Sequence, residues 1–209
     1  MYLNIMHEEE KNDLKLKSHT TSSSRAPEKE EGFFAEMFRF ALIALFIILP
    51  IRLFIAEPFI VSGTSMFPSF NTGEYIIVDQ LTYRFEQPER GDVIIFKYPK
   101  DTSRDFIKRI IGLPGETVVV NTDSIIIKNS EHPDGFKLEE PYVVDSQGLT
   151  LETKLATDEY FVMGDNRPVS SDSRIWGPLN KKYIIGRALV RLFPPQKINI
   201  FPEKYNAPN

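Results

Sequence analysis

No cysteine occurs anywhere in the 209 residues. That excludes disulfides, thiolate metal sites and a cysteine nucleophile together. A chain without thiols is compatible with an oxidising compartment. Histidine is almost as scarce, with His7, His19 and His132 the whole set. Two stand near the N-terminus and the third alone in "NSEHPDG", so no metal centre is expected. A Ser-His-Asp triad would have to draw on His132, in a turn-rich loop. There is no basic surplus either: 25 Lys and Arg face 29 Asp and Glu, a formal charge of −4. That balance weighs against a dedicated nucleic-acid binder. No cofactor-binding motif stands out.

Long apolar runs are missing with one exception. Phe33 to Ala56, "FFAEMFRFALIALFIILPIRLFIA", would be about 36 Å long as a helix, against a hydrocarbon layer of about 30 Å. Arg39 and Arg52 would snorkel towards opposite surfaces, and Pro50 is tolerable near a membrane-helix end. A cleaved signal peptide is the competing reading. The long acidic segment ahead of the run, and no small-x-small site just after it, favour a retained anchor in the lipid bilayer. Residues 1–32 are polar and read as a disordered tail. Lys15, Lys17, Arg25 and Lys29 precede the anchor, whereas no Lys or Arg occurs from Glu57 to Tyr83. The positive-inside rule then puts the N-terminus in the cytoplasm and residues 57–209 outside.

The outer part reads as strands. "YIIVDQL", "DVIIFKY", "DFIKRIIGL", "ETVVVN", "SIIIKN", "EYFVMG" and "KYIIGRALVRLF" are rich in β-branched and aromatic residues, with Gly, Pro, Asn and Asp between them. "VVVNTDSIII" reads as a hairpin. Residues 129–158 look like a polar, loop-like insertion. No window outside the anchor has helical periodicity. The expected fold is mainly β: a single transmembrane helix, then an antiparallel β-rich domain of about 150 residues.

Without cysteine and nearly without histidine, a hydroxyl nucleophile would need Lys, Asp or Glu as its base. Most lysines stand near loops or strand ends. Lys108, in "DFIKRIIGLPG", does not. On a strand Phe106, Lys108 and Ile110 share one face, and Ile107, Arg109 and Ile111 the other. A lysine among such neighbours loses hydration, its pKa falls, and the neutral amine can act as general base. An edge strand whose lysine snorkels to solvent fits the same pattern. Arg109 cannot deprotonate and, if buried, needs an anion. The densest polar constellation is "MGDNRPVSSDSRIWGP", residues 163–178, with Asp165, Asn166, Arg167, Ser170, Asp172 and Arg174. It is either a solvated loop or a mutually satisfied network; the number of complementary partners favours the network.

With these segments in view, the chain from Glu57 to Phe193 resembles bacterial signal peptidase I. "GTSMFP" is similar to the family's nucleophile box, "RGDVIIF" (Arg90–Phe96) to its next strand motif, "FIKRIIGLPGE" to its base-bearing strand and "GDNRPVSSDSRIWG" to its last signature. Four motifs in the family's order are jointly specific. The resemblance implies a Ser/Lys dyad, with Ser65 as nucleophile and Lys108 as general base. It implies that Ser170 orients the lysine amine, that Asp165 pairs with Arg109 and that Asp172 pairs with Arg174. It places Met66 beside the nucleophile, among the substrate-binding residues, and makes Phe59, Val61, Phe106 and Ile107 the walls of shallow apolar pockets. The implied substrates are signal peptides of exported preproteins, cut at the bacterial cytoplasmic membrane. Two departures stand out. Gly63 occupies a position where some members carry a serine that helps hold the oxyanion, and Pro168 and Val169 replace two polar residues of "GDNRDNS".

Two other readings compete. A self-cleaving Ser/Lys repressor would need an internal Ala-Gly pair and a DNA-binding head, and the chain has no Ala-Gly dipeptide. A membrane-tethered β-domain without enzymatic activity would need neither Ser65 nor Lys108.

Overall fold

Seven of the apolar stretches become strands of a computed structural model that describes residues 31–54, 56–143, 150–202 and 205. The tail expected at residues 1–32 lies outside these, apart from its last two positions. Helix α1 is Glu31–Phe54. Its window Gly32–Leu49 has a mean hydropathy of 2.1 and is exposed throughout. It is long and apolar enough to cross a membrane. The expected anchor, 33–56, runs two residues too far: Ala56 already begins a strand. Pro58 bars any helix from continuing through Glu57, because a proline biases the residue before it away from helix.

The domain after Phe54 is antiparallel in every described pairing. Its strands are β1 (Ala56–Ile60), β2 (Tyr75–Asp79), β3 (Val93–Tyr98), β4 (Asp101–Gly112), β5 (Thr117–Val120) and β6 (Ile125–Lys128). They continue as β7 (Phe136–Lys137), β8 (Leu151–Lys154), β9 (Glu159–Met163), β10 (Leu179–Asn180), β11 (Ile184–Phe193) and β12 (Asn199–Ile200). The large sheet has the order β1-β2-β11-β3-β4-β9-β10, with β12 added to β11. The small sheet has the order β7-β6-β5-β8.

The expected hairpin is β5–β6, with Val120 opposite Ile125 and Asn121 N donating to Ser124 O across the turn. The stretch read as a loop-like insertion, 129–158, instead supplies β7 and β8, which flank that hairpin. Their short, charged sequences hide the pairing; the register is imposed by Val118 and Ile127, which bury against Phe161 and Met163. One helical turn also went unforeseen: α2 (Ser173–Trp176), capped by Asp172, whose side chain accepts from Arg174 N.

The central strand β3 shows why "VIIF" has no polar alternation. Val93 and Ile95 pack with Val61, Met66 and Phe70, whereas Ile94 and Phe96 pack with Ile110, Tyr160 and Val162. Both faces are covered, so both must be apolar. Two features of this sheet matter for function. Strand β4 pairs with β9 only from Arg109 onward, so among the described residues its edge across from β3 is unpaired from Asp101 to Lys108. Among the described residues strand β1 pairs on one side only, with β2.

A buried ion pair joins the sheets. Arg90, just before β3, donates from Nη1 and Nη2 to the two oxygens of Glu116, just before β5, at 2.8 and 2.7 Å. Glu116 also accepts from Leu113 N (2.8 Å) and Asn129 Nδ2 (3.2 Å). Glu116→Ala would leave the guanidinium buried without its carboxylate, and should lower unfolding stability by about 3–5 kcal/mol. Urea denaturation of the full chain in detergent measures this. A loss below about 1 kcal/mol would mean that the pair does not hold the sheets together.

Candidate active site

Ser65 sits in a compact turn after β1. Phe67 N donates to Thr64 O (3.1 Å) and Phe70 N to Met66 O (2.8 Å). The turn is fixed from below, because Met66 and Phe70 are wholly buried in the core between β2 and β3. Met66 therefore belongs to that core and does not line the cleft above it. Being next to Ser65 in sequence suggested otherwise, but successive side chains of a tight turn diverge.

Lys108 reaches this turn from β4. Its Nζ donates to Ser65 Oγ at 2.7 Å and to Ile107 O at 2.9 Å. The residue is only 4% exposed. Nζ also lies 5.3 Å from the Phe106 ring centre. Loss of hydration pushes the amine down to about 8, while the carboxylates of Asp172 and Asp165 pull weakly the other way. The lysine is therefore buried, not snorkelled.

Beside it Arg109 and Asp165 form a pair with side chains that are both wholly buried. Arg109 Nε donates to Asp165 Oδ1 (2.9 Å) and Nη2 to Oδ2 (2.6 Å), a bidentate match. Arg109 Nη1 holds Gly91 O (2.9 Å), and the Tyr142 ring stacks 4.0 Å from the guanidinium carbon. Asp172 accepts from Arg174 Nε and Nη2, each at 2.9 Å, and from Gly164 N at 3.1 Å. The carboxylates and arginines of the constellation at 163–178 are thus matched by charged partners or by backbone groups, whereas its Ser170 hydroxyl and Trp176 indole N–H are buried without a partner among the described residues.

Ser170 is brought close to these groups, but its Oγ is buried without a hydrogen-bond partner among the described residues. The expected contact with the Lys108 amine is not made in this structure; Ile107 O takes that place. A side chain at position 164 would collide with both Ser170 Oγ and Ser65 O, so only glycine lets the two segments meet.

A cleft of about 710 Å³, with polar and apolar walls, opens above the pair. Phe59, Val61, Phe106 and Ile107 line it with Ser65 and Lys108, as do Val169 and Arg104. Among the described residues the Ser65 N–H has no acceptor within the chain. Its carbonyl is occupied: Asn166 N donates to Ser65 O (3.0 Å) and Asn166 Nδ2 to Thr64 O (3.1 Å). His132 packs edge-on against Phe136 beside the small sheet and takes no part here.

Sequence reasoning missed three participants. Ser69 donates to Asp165, Asn166 clamps the turn, and Glu140 forms a bidentate pair with Arg167 (2.5 and 3.1 Å). Asn166 was visible inside the quoted constellation. Ser69 and Glu140 carried no signal, because their partners are distant in sequence.

A serine hydroxyl bonded to a desolvated lysine, in a cleft between unpaired strand edges, is the chemistry of a hydrolase that acts on extended peptides. The chain belongs to the signal peptidase family, peptidase S26, which matches residues 34–193. It is a serine peptidase by that membership. It is 37% identical to the probable signal peptidase I-1 of Synechocystis sp. over 173 residues, 79% of this chain and 85% of that one. It is 36% identical to the signal peptidase I of Leptolyngbya laminosa over 75% of this chain and 78% of that one. The signal peptidase I of Bacillus amyloliquefaciens is 33% identical over 83% of this chain and 92% of its own.

The burial of Lys108 has a thermodynamic signature. The folded value near 8 lies below the unfolded value of 10.5, so between them the unfolded chain holds a proton that the native state lacks. Stability should therefore rise with pH from about 8 to 10.5, by about 3 kcal/mol, and the burdened form should prevail below 8. Lys108→Met removes the charge and keeps an apolar stem. It should be at least as stable as wild type at pH 7 and lose this pH slope, as denaturation at a series of pH values would reveal.

Proposed function

We propose that this chain removes signal peptides from exported preproteins, with Ser65 as nucleophile and Lys108 as general base. The observation that carries the reading is the 2.7 Å contact between Lys108 Nζ and Ser65 Oγ, made by an amine pushed down to about 8. Neutral Lys108 takes the Oγ proton as Oγ attacks the scissile carbonyl. The tetrahedral oxyanion forms against the free Ser65 N–H. The ammonium then gives its proton to the leaving amine, which departs with the mature protein. The signal peptide remains as an ester on Ser65. The same amine next activates a water, whose attack frees the carboxylate and restores the hydroxyl.

The cleft supports the specificity. An extended peptide can hydrogen-bond to the unpaired edges of β1 and β4, which lead up to Ser65 and Lys108. Its side chains one and three residues before the cut face Phe59, Val61, Phe106 and Ile107. Helix α1, anchored in the cytoplasmic membrane with its N-terminus inside, keeps the domain at the outer surface, where preproteins emerge. Asp165, Arg109, Asp172 and Arg174 hold the frame, and Ser170, whose hydroxyl is not bonded to the amine here, would orient it once a peptide is bound.

Ser65→Ala should abolish preprotein cleavage while leaving unfolding stability nearly unchanged. Lys108→Arg should also be inactive, because a guanidinium does not deprotonate in this range. Wild-type kcat/KM should rise with pH through about 8. An active Lys108→Arg enzyme would falsify the dyad.

Specificity gives a separate check. Replacing Ala by Phe or Lys immediately before the scissile bond should lower kcat/KM by several kcal/mol equivalent, since misfit there displaces the reacting carbonyl. Equal cleavage of the Ala and Phe peptides would remove these four residues from the pocket.

A further inference from the structure

The turn that carries Ser65 is gripped at one residue by two separate buried ion pairs. Ser69 is 6% exposed. Its Oγ donates to Asp165 Oδ2 at 2.5 Å, across 96 positions of sequence. Asp165 is the carboxylate that holds Arg109, the residue next to Lys108. The Ser69 carbonyl accepts from Arg191 Nη2 at 2.6 Å, on strand β11. Arg191 in turn lies 3.1 Å from buried Glu74 and 4.7 Å over the Phe70 ring.

We propose that Ser69 is a positioning residue that ties the nucleophile's turn to the strand bearing the base. This rests on the assignment of Ser65 and Lys108 made above. Asp165 touches both partners of the reaction indirectly: through Arg109 it fixes β4, and through Ser69 it fixes the turn. Its backbone neighbour Asn166 adds a second hold on Ser65 O. A hydroxyl donating to an ionised carboxylate makes a short, strong bond with a defined direction. Because the carboxylate is already locked by a bidentate guanidinium, it cannot follow the turn if the turn shifts. The distance between Ser65 Oγ and Lys108 Nζ therefore depends on this bond. Small displacements at a reacting pair cost rate and not substrate binding, since the cleft walls are built from other residues.

Valine and threonine have nearly the same shape, so Ser69→Thr and Ser69→Val separate the hydroxyl from bulk. The full chain in detergent micelles would be assayed on a quenched peptide with Ala one and three residues before the cut. Rates are normalised to the folded fraction at each temperature. Ser69→Ala and Ser69→Val should each lower kcat about tenfold to a hundredfold, with KM within about twofold. The pH midpoint of kcat/KM should stay near its wild-type value, because Lys108 remains buried beside the same carboxylates. Ser69→Thr should recover most of the rate. If Ser69→Ala keeps wild-type kcat, or if its loss vanishes on normalisation, Ser69 is not a positioning residue. Ser65→Ala serves as the control: activity in that variant overturns the dyad itself, whereas an inactive Ser65→Ala beside a fully active Ser69→Ala overturns only the role of Ser69.

Discussion

The Arg109–Asp165 pair is the constraint on which the rest of the site depends. Both side chains are wholly buried, so neither charge has water to turn to. Each must be matched by fixed partners, and those partners come from four distant segments. Gly91 O comes from the turn before β3, Ser69 Oγ from the nucleophile turn, Tyr142 from the segment after β7, and Asp165 itself from the loop just after β9. A buried pair of this kind adds little net stability over an apolar substitute, but a broken one is severely destabilising. Its value lies in admitting few alternative arrangements.

The same economy of water sets the chemistry. Lys108 needs an apolar surround to lose its proton near neutral pH, and Ile107, Phe106 and the β3–β4 core provide it. Asp165 and Asp172 act against this, because their charges favour the ammonium. Both are largely neutralised by their own arginines, at 2.6 and 2.9 Å, which limits the pull on the lysine. Arg109 on β4 and Arg174 in the last signature thus protect the base from the carboxylates required to position it. Desolvation wins, and the amine ends below its free value.

Glycine at position 164 makes a comparable compromise in space. Ser170 and the Ser65 carbonyl crowd its Cα from two directions. No side chain fits between them, so the signature loop and the nucleophile turn can touch backbone to backbone, as the Asn166–Ser65 bond requires. The orphaned Ser170 hydroxyl sits at that junction, a buried polar group of the sort that accompanies functional sites.

Much of this was legible in one dimension. The apolar helix, seven strands and the β5–β6 hairpin follow from local patterning, because burial of one or both strand faces leaves a direct trace in residue type. Lys108 and Arg109 drew notice for the opposite reason: charges inside an apolar strand demand an explanation wherever they occur. The pairing of Arg109 with Asp165 came from resemblance, and the depth of its burial only from the fold. Strands β7 and β8 were invisible, since two- and four-residue polar strands are specified by the neighbours they pair with. Met66 was assigned to the cleft because the sequence shows adjacency and not direction. The contacts of Ser69 and Glu140 span 96 and 27 positions, and nothing local records them. The sequence by itself determined which segments must be buried and which residues have the chemistry to react. Only tertiary structure decided which charges share a dielectric and which hydroxyl meets the amine, because those depend on distances that chain folding alone creates.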